Sequence, residues 1–91
     1  MSIRKFKFQK GDFTDSQTAL ALRKFLLSLQ NVERIDLSYS GFHDELFEKL
    51  PDDLEKFNSF LRKINMQGVQ LAHNFQSRIR SSFPGIILRE D

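Results

Sequence analysis

The chain has 91 residues, no cysteine and a formal net charge of +2 at pH 7. This length is enough for one domain with one hydrophobic core, and the lack of cysteine excludes disulfide bonds and thiolate metal sites. The four glycines form no phosphate-binding loop, no serine lies in a nucleophile motif, and no segment is apolar enough to span a membrane. We therefore expect a single cytoplasmic domain over residues 1–91, without catalytic activity, cofactor, bound metal or membrane contact.

The first predicted elements are an edge strand and a capped helix. Residues 3–8 alternate, with two phenylalanines on one face and two lysines on the other, which is typical of a half-buried strand at a sheet edge. Thr14 and Gln17 fit a capping box, in which Thr14 caps the third helical amide. The apolar residues behind this box recur at helical spacing and predict a helix that ends near Gln30.

A second strand is predicted over residues 32–38, where apolar and polar residues alternate. Ile35, Leu37 and Tyr39 are expected to share its buried face. Residues 40–41, a Ser-Gly pair, end the strand in a turn.

The next segment has the clearest helical periodicity of the chain. Its apolar stripe consists of Leu46, Leu50, Leu54, Phe57, Leu61 and Ile64. A proline inside a helix removes a hydrogen bond and clashes with the preceding turn, whereas a proline at the first helical position does neither. We therefore expect Pro51 to divide the segment into a short helix near 43–49 and a longer one near 51–64.

The last elements are a strand, a helix and a strand. Residues 68–71 predict a short third strand, and Asn74 is positioned to cap a third helix. That helix has apolar residues at every fourth position and ends at the Pro84-Gly85 pair. Residues 86–88 predict a last strand.

The resulting order is β-α-β-α-β-α-β, which predicts a small α/β domain. Short strands separated by helices favour a mostly parallel sheet of three or four strands with helices packed on it. Apolar strand pairs at residues 35/37 and 69/71 lie 34 residues apart, and each precedes a polar turn. We interpret them as two β-α units rather than as repeats of a solenoid.

Charge is unevenly distributed along the chain. The first ten residues contain four basic side chains and no acidic one, whereas residues 44–55 contain six acidic side chains and one lysine. A surface with two oppositely charged regions favours a protein partner or self-association over a nucleic acid. With ten phenylalanines, an exposed apolar surface that forms a homodimer is also compatible with the sequence.

Residues 32–75 resemble the STAS domain of anti-sigma factor antagonists. The resemblance rests on Ile-Asp-Leu-Ser at 35–38, on the strand that follows a glycine at 68–71, and on Phe-His-Asp-Glu-Leu-Phe at 42–47, which is similar to a run in some STAS-like bacterial proteins. It implies a non-enzymatic interaction module in which Ser40 corresponds to the phosphorylated serine of the regulatory loop. Of the Asp-Ser-Ser-Gly of that loop, this chain has only the Ser-Gly.

The leading hypothesis is a protein–protein interaction or regulatory module that uses the loop and helix start after the second strand. The expected contact residues are Ser38, Ser40, Gly41, His43, Asp44, Glu45 and Glu48. A free helix N-terminus and a serine that can gain charge on phosphorylation are the chemical reasons for this choice.

Two other classes of function are compatible with the residues. A small inhibitor of the immunity or phage type would use Asp44, Glu48, Asp52 and Asp53, in the acidic cluster at 44–55, to mimic or block a basic site. Its binding would weaken steeply with salt. A nucleic-acid binder would use the basic first strand together with basic residues of the third helix. Its contact residues would be Lys5, Lys7, Arg78 and Arg80.

Overall fold

In the computed structural model, which describes residues 4–29, 32–57 and 60–89, helices pack on a parallel sheet. The helices are α1 Ser16–Ser28, α2 Asp44–Phe57 and α3 His73–Ser82. The strands are β1 Lys5–Lys7, β2 Asp12–Phe13, β3 Arg34–Asp36, β4 Gly41–Phe42, β5 Lys63–Asn65 and β6 Ile87–Arg89. Strands β1, β3, β5 and β6 form one parallel sheet in that order, and β2 pairs in parallel with β4. This arrangement confirms the predicted α/β fold class and its mostly parallel sheet.

The strands and turns repeat at a fixed interval. Strands β1, β3 and β5 are in register at positions 29 residues apart. The backbone after each strand is left-handed at the same repeat position, in Lys10, Tyr39 and Gly68, with φ of 58°, 58° and 76°. A left-handed backbone is uncommon in residues other than glycine, so its recurrence shows that the three turns share the same backbone conformation.

The helices repeat in the same way. In α2 the buried side chains are Leu46, Leu50 and Leu54, and in and just after α3 they are Phe75, Ile79 and Phe83. Each residue of the second set lies 29 positions after its counterpart in the first. Helices α1, α2 and α3 pack on one another in chain order. Because each parallel crossover has the same hand, these helices lie on one side of the sheet.

The described chain is therefore a short solenoid of stacked β-α units. The sequence-based expectation of two β-α units 34 residues apart, rather than a solenoid, is wrong. The residues equivalent to Ile35 and Leu37 are Ile64 and Met66, which are also buried. One β-α unit cannot bury its apolar face alone, so each unit stabilises its neighbour by covering that face.

Pro51 does not break the second helix, contrary to expectation. Helix α2 runs from Asp44 to Phe57 with Pro51 buried inside it. An internal proline costs about 3 kcal/mol, but full burial of one leucine contributes about 1.5–3 kcal/mol, and α2 buries three of them on one stripe. Tertiary packing thus outweighs the local cost.

Two strand assignments in the C-terminal half are corrected. Leu61 and Ile64, predicted in a helix, lie just before and within β5, while positions 58–59 of that predicted helix lie outside the described residues. Residues 68–71, predicted as a strand, form a loop that starts at the left-handed Gly68.

Local capping and one side-chain direction also differ from the predictions. Asp15, not Thr14, caps α1, and its side chain accepts a hydrogen bond from the Thr18 amide at 2.8 Å. Helix α3 begins after Ala72 without a side-chain cap, so Asn74 has no capping role. Tyr39 is exposed because its left-handed backbone turns it away from the face that Ile35 and Leu37 share. Gln30, the predicted end of the first helix, lies outside the described residues, and α1 ends at Ser28.

Candidate functional site

The two serines of the predicted contact surface are buried between neighbouring units. Ser38 and Ser40 are 1% and 7% exposed. The Ser40 hydroxyl accepts a hydrogen bond from the Gly11 amide at 3.0 Å and donates to the Ser38 carbonyl at 3.4 Å. Gly41 lies in β4 and donates its amide to the Gly11 carbonyl. These residues therefore join one turn of the solenoid to the next.

The other predicted contact residues form the N-terminus of α2. The Nδ1 atom of His43 accepts a hydrogen bond from the Glu45 amide at 3.1 Å, which satisfies one of the free amides of the first turn. Glu45 makes an ion pair with Lys49 at 3.6 Å. Asp44 and Glu48 are exposed and line a cleft of about 700 Å³ between α2 and α3. The structure thus divides the predicted surface into a buried turn and an exposed helix start.

Half of the acidic cluster, namely Asp52, Asp53 and Glu55, takes part in contacts between helices. Arg23 of α1 binds Asp53 of α2 through two hydrogen bonds, the shorter at 2.7 Å, and both side chains are mostly buried. The hydrogen bond to Asp53 raises the pKa of Arg23, although burial acts in the opposite direction. Arg78 of α3 pairs with Asp52, and the Ser82 hydroxyl donates to Glu55 at 3.0 Å. These carboxylates are therefore engaged by the neighbouring helices.

Of the face of the sheet opposite the helices, the sequence predicted only Lys5 and Lys7, as contacts of a nucleic-acid binder. Two rows of side chains cross its strands in register, and we call them together the open sheet face. The first row is Lys5, Arg34, Lys63 and Ile87, and the second is Lys7, Asp36, Asn65 and Arg89. Between the rows lies a groove of about 180 Å³ that crosses β1, β3 and β5. The basic residues of the first row are 29 residues apart, and that spacing is the signal that a search for repeats would have used.

Asp36 is the acidic residue of the open sheet face. Its carboxylate accepts hydrogen bonds from the Ser38 amide at 3.0 Å and from Gln9 Nε2 at 3.1 Å. Partial burial acts to raise the pKa of Asp36, but these hydrogen bonds and the nearby charge of Lys7 outweigh it and lower the pKa below the usual 3.8. Asp36 is therefore a fixed negative charge among basic neighbours at neutral pH.

The residues proposed for nucleic-acid binding lie on different faces. Lys5 and Lys7 belong to the open sheet face, whereas Arg78 lies on α3, on the other side of the sheet, and pairs with Asp52. The ring of Phe6 points toward the helices, where its centroid is 5.1 Å from that of Phe25. The first strand thus presents lysines and no aromatic ring on its open side.

The described residues contain no group of three or more histidine, aspartate or glutamate side chains that could hold a metal ion. Within the same ranges, none of the helices has the length and apolar character needed to cross a membrane.

Comparison with known proteins found no matching family model, no matching curated protein and no matching solved structure. The resemblance to STAS domains consequently stays a prediction. Among the described residues, the open sheet face and the α2–α3 cleft are surfaces on which a function can be argued from geometry.

Proposed function

We propose that this chain is a non-enzymatic interaction module that binds a partner protein through the open sheet face. One observation carries the proposal, namely the row of basic side chains Lys5, Arg34 and Lys63 on three adjacent strands, on the side of the sheet away from the helices.

The basic row is unfavourable for the isolated domain. Neighbouring strands lie about 4.8 Å apart, and like charges placed directly opposite each other destabilise a sheet. Among the described residues, no carboxylate pairs with Arg34 or Lys63. A partner that carries negative charge would relieve this repulsion, so the cost to folding is recovered on binding.

The repeat architecture also supports a binding role. Buried apolar residues occupy positions 32, 35 and 37 in one unit and 61, 64 and 66 in the next. This L-x-x-L-x-L spacing on a strand that is followed by a helix is typical of leucine-rich repeats. The asparagine or cysteine common after that pattern is replaced here by Ser40, whose hydroxyl bonds the preceding unit. Solenoids of this kind bind partners along their extended open surfaces.

A protein partner is favoured over a nucleic acid by the composition of the open sheet face. Proteins that bind single strands stack bases on aromatic side chains, and neither row contains an aromatic residue. The ionised Asp36 would repel a uniformly charged phosphate backbone, whereas a protein can keep its carboxylates over the basic row and place a hydrogen-bond donor opposite Asp36. Phosphorylation of Ser40 forms no part of this proposal because its hydroxyl is buried and bonded.

Position-specific crosslinking tests the proposal. A photoreactive residue is placed at Arg34, on the open sheet face, or at Lys24, an exposed position of α1, and each protein is irradiated in lysate of the native host. A protein crosslinked from position 34 alone is then purified and titrated against two double variants with equal charge change. Binding should be lost with Arg34→Gln/Lys63→Gln and retained with Lys24→Gln/Lys49→Gln. Crosslinks from position 24 alone, or nucleic acid as the sole product at position 34, would contradict the proposal.

A further inference from the structure

The groove of the open sheet face has a direction. It is lined by both rows over β1, β3 and β5, so it runs across the strands and not along them. An elongated segment seated in it would meet the four members of the first row one after another. Three of these are basic, and the fourth, Ile87 on β6, is an apolar side chain that is 61% exposed.

The spacing of the first row favours a helix over an extended peptide. Strands about 4.8 Å apart place the four positions over a length of about 14 Å. In a helix, residues i, i+4, i+7 and i+11 lie on one face and span about 16 Å at 1.5 Å per residue. In an extended chain, four alternate residues span about 20 Å. Flexible lysine and arginine side chains can accommodate the small difference for the helix but not the larger one for the strand.

The order of residues in the row specifies the chemistry of the occupant. Carboxylates complement Lys5, Arg34 and Lys63, with the arginine able to bind one of them through two hydrogen bonds. An apolar side chain complements Ile87 at the β6 end. The position of Ile87 therefore determines which end of the bound segment carries its apolar residue.

We infer that the open sheet face binds an acidic α-helix of the partner protein, which lies across the strands with three carboxylates over Lys5, Arg34 and Lys63 and an apolar residue over Ile87. This inference rests on the proposed function and narrows it to one class of partner.

The experiment uses a pair of synthetic peptides as probes. The first is an alanine-based helix with glutamates at i, i+4 and i+7 and a leucine at i+11, and the second has the same composition with the glutamates distributed around the helix. Affinities for the full chain are measured by titration calorimetry at two salt concentrations, with generic single-stranded DNA and RNA as further ligands. The striped peptide should bind about tenfold more tightly than the scrambled one and more tightly than either nucleic acid.

Variants assign the contacts. Arg34→Glu should weaken binding of the striped peptide about tenfold, and Lys24→Glu on α1 should leave it within about twofold. Ile87→Ser should weaken binding by about threefold without changing its salt dependence, because it removes an apolar contact and no charge. Circular dichroism of each variant confirms that the fold is retained.

The outcomes separate this inference from the proposed function. Three outcomes would overturn the inference of an acidic helix. They are equal binding of the two peptides, tighter binding of nucleic acid, and equal effects of Arg34→Glu and Lys24→Glu. If the crosslinked natural partner is nevertheless lost with Arg34→Gln/Lys63→Gln, the proposed function stands and only the helix is wrong. If the natural partner crosslinks from Lys24 instead, both are wrong.

Discussion

The ring of Tyr39 lies against the α-carbon of Gly68, the residue at the same position of the next unit. Both residues have a left-handed backbone, with φ of 58° and 76°. A Cβ atom on Gly68 would lie 2.4 Å from Cδ1 of the Tyr39 ring, which is closer than nonbonded atoms approach. The Tyr39 ring therefore fits at this position because Gly68, its counterpart in the following unit, has no side chain.

Gly68→Ala is expected to destabilise the fold by two effects, the left-handed backbone and the clash with Tyr39. The backbone effect alone costs about 1–2 kcal/mol, and displacement of the ring adds about 1 kcal/mol. Urea denaturation measures the change. Gly85→Ala is the matched control, because Gly85 has φ of 85° with no atom within 4 Å of an added Cβ. Equal losses for the two variants, or no relief of the Gly68→Ala loss in a Tyr39→Ala background, would contradict the described contact.

Removal of one charge from the basic row should stabilise the isolated domain. In Arg34→Gln, the repulsion from Lys5 and Lys63 on the neighbouring strands is lost, so the free energy of unfolding should rise by a few tenths of a kcal/mol at low salt. The gain should shrink as added salt screens the repulsion in the wild type. Lys24→Gln, which removes one charge from α1, should change stability little. A loss of stability in Arg34→Gln at low salt would show that charge repulsion within the row does not destabilise the fold.

The ion pair between Arg23 and Asp53 should couple more strongly than the exposed pair between Glu45 and Lys49. The first pair is mostly buried and has two hydrogen bonds, whereas the second is exposed with a nitrogen–oxygen distance of 3.6 Å. Double-mutant cycles with alanine should give about 1–2 kcal/mol for the buried pair and under about 0.5 kcal/mol for the exposed pair. Similar coupling energies in the two cycles would contradict the role of the acidic cluster in helix packing.

The pH dependence of stability should contain a contribution from Asp36. Because its pKa is lower in the folded chain than the usual 3.8, the folded state favours the ionised carboxylate. The resulting stabilisation is present above pH 3.8 and is lost as the pH falls through the lower folded pKa. Asp36→Asn should therefore lose less stability than the wild type on acidification below that value, as measured by thermal denaturation. Parallel curves for the two proteins would show that the Asp36 pKa is not lowered.

The fold class was predictable from the sequence, but the repeat was not, because the apolar residues of one strand continue the spacing of the preceding helix. Residues Leu61 and Ile64 continue the steps of three and four that run along α2, although they precede and occupy β5. The strand pattern L-x-x-L-x-L shares its first step of three with a helix, so local periodicity assigns both to one helix. Aligning positions 29 residues apart distinguishes the strand from the helix, because Ile64 then corresponds to Ile35 of β3.

The site was less predictable than the fold. Lys5, Arg34 and Lys63 belong to three separate stretches of sequence, and only strand register brings them into one row. Conversely, the acidic cluster is conspicuous in sequence, yet Asp52 and Asp53 are paired with arginines of neighbouring helices. Runs of charge along a chain describe a surface poorly when equivalent positions of a solenoid, rather than adjacent residues, form that surface.

The most direct test of the central claim is an NMR titration of the labelled chain with the striped acidic peptide. Amide shifts should concentrate in β1, β3 and β5, around Lys5, Arg34 and Lys63, and extend to Ile87 of β6, with little change in α2 and α3. Shifts concentrated around Asp44 and Glu48, in the cleft between α2 and α3, would contradict the assignment of the open sheet face as the binding surface.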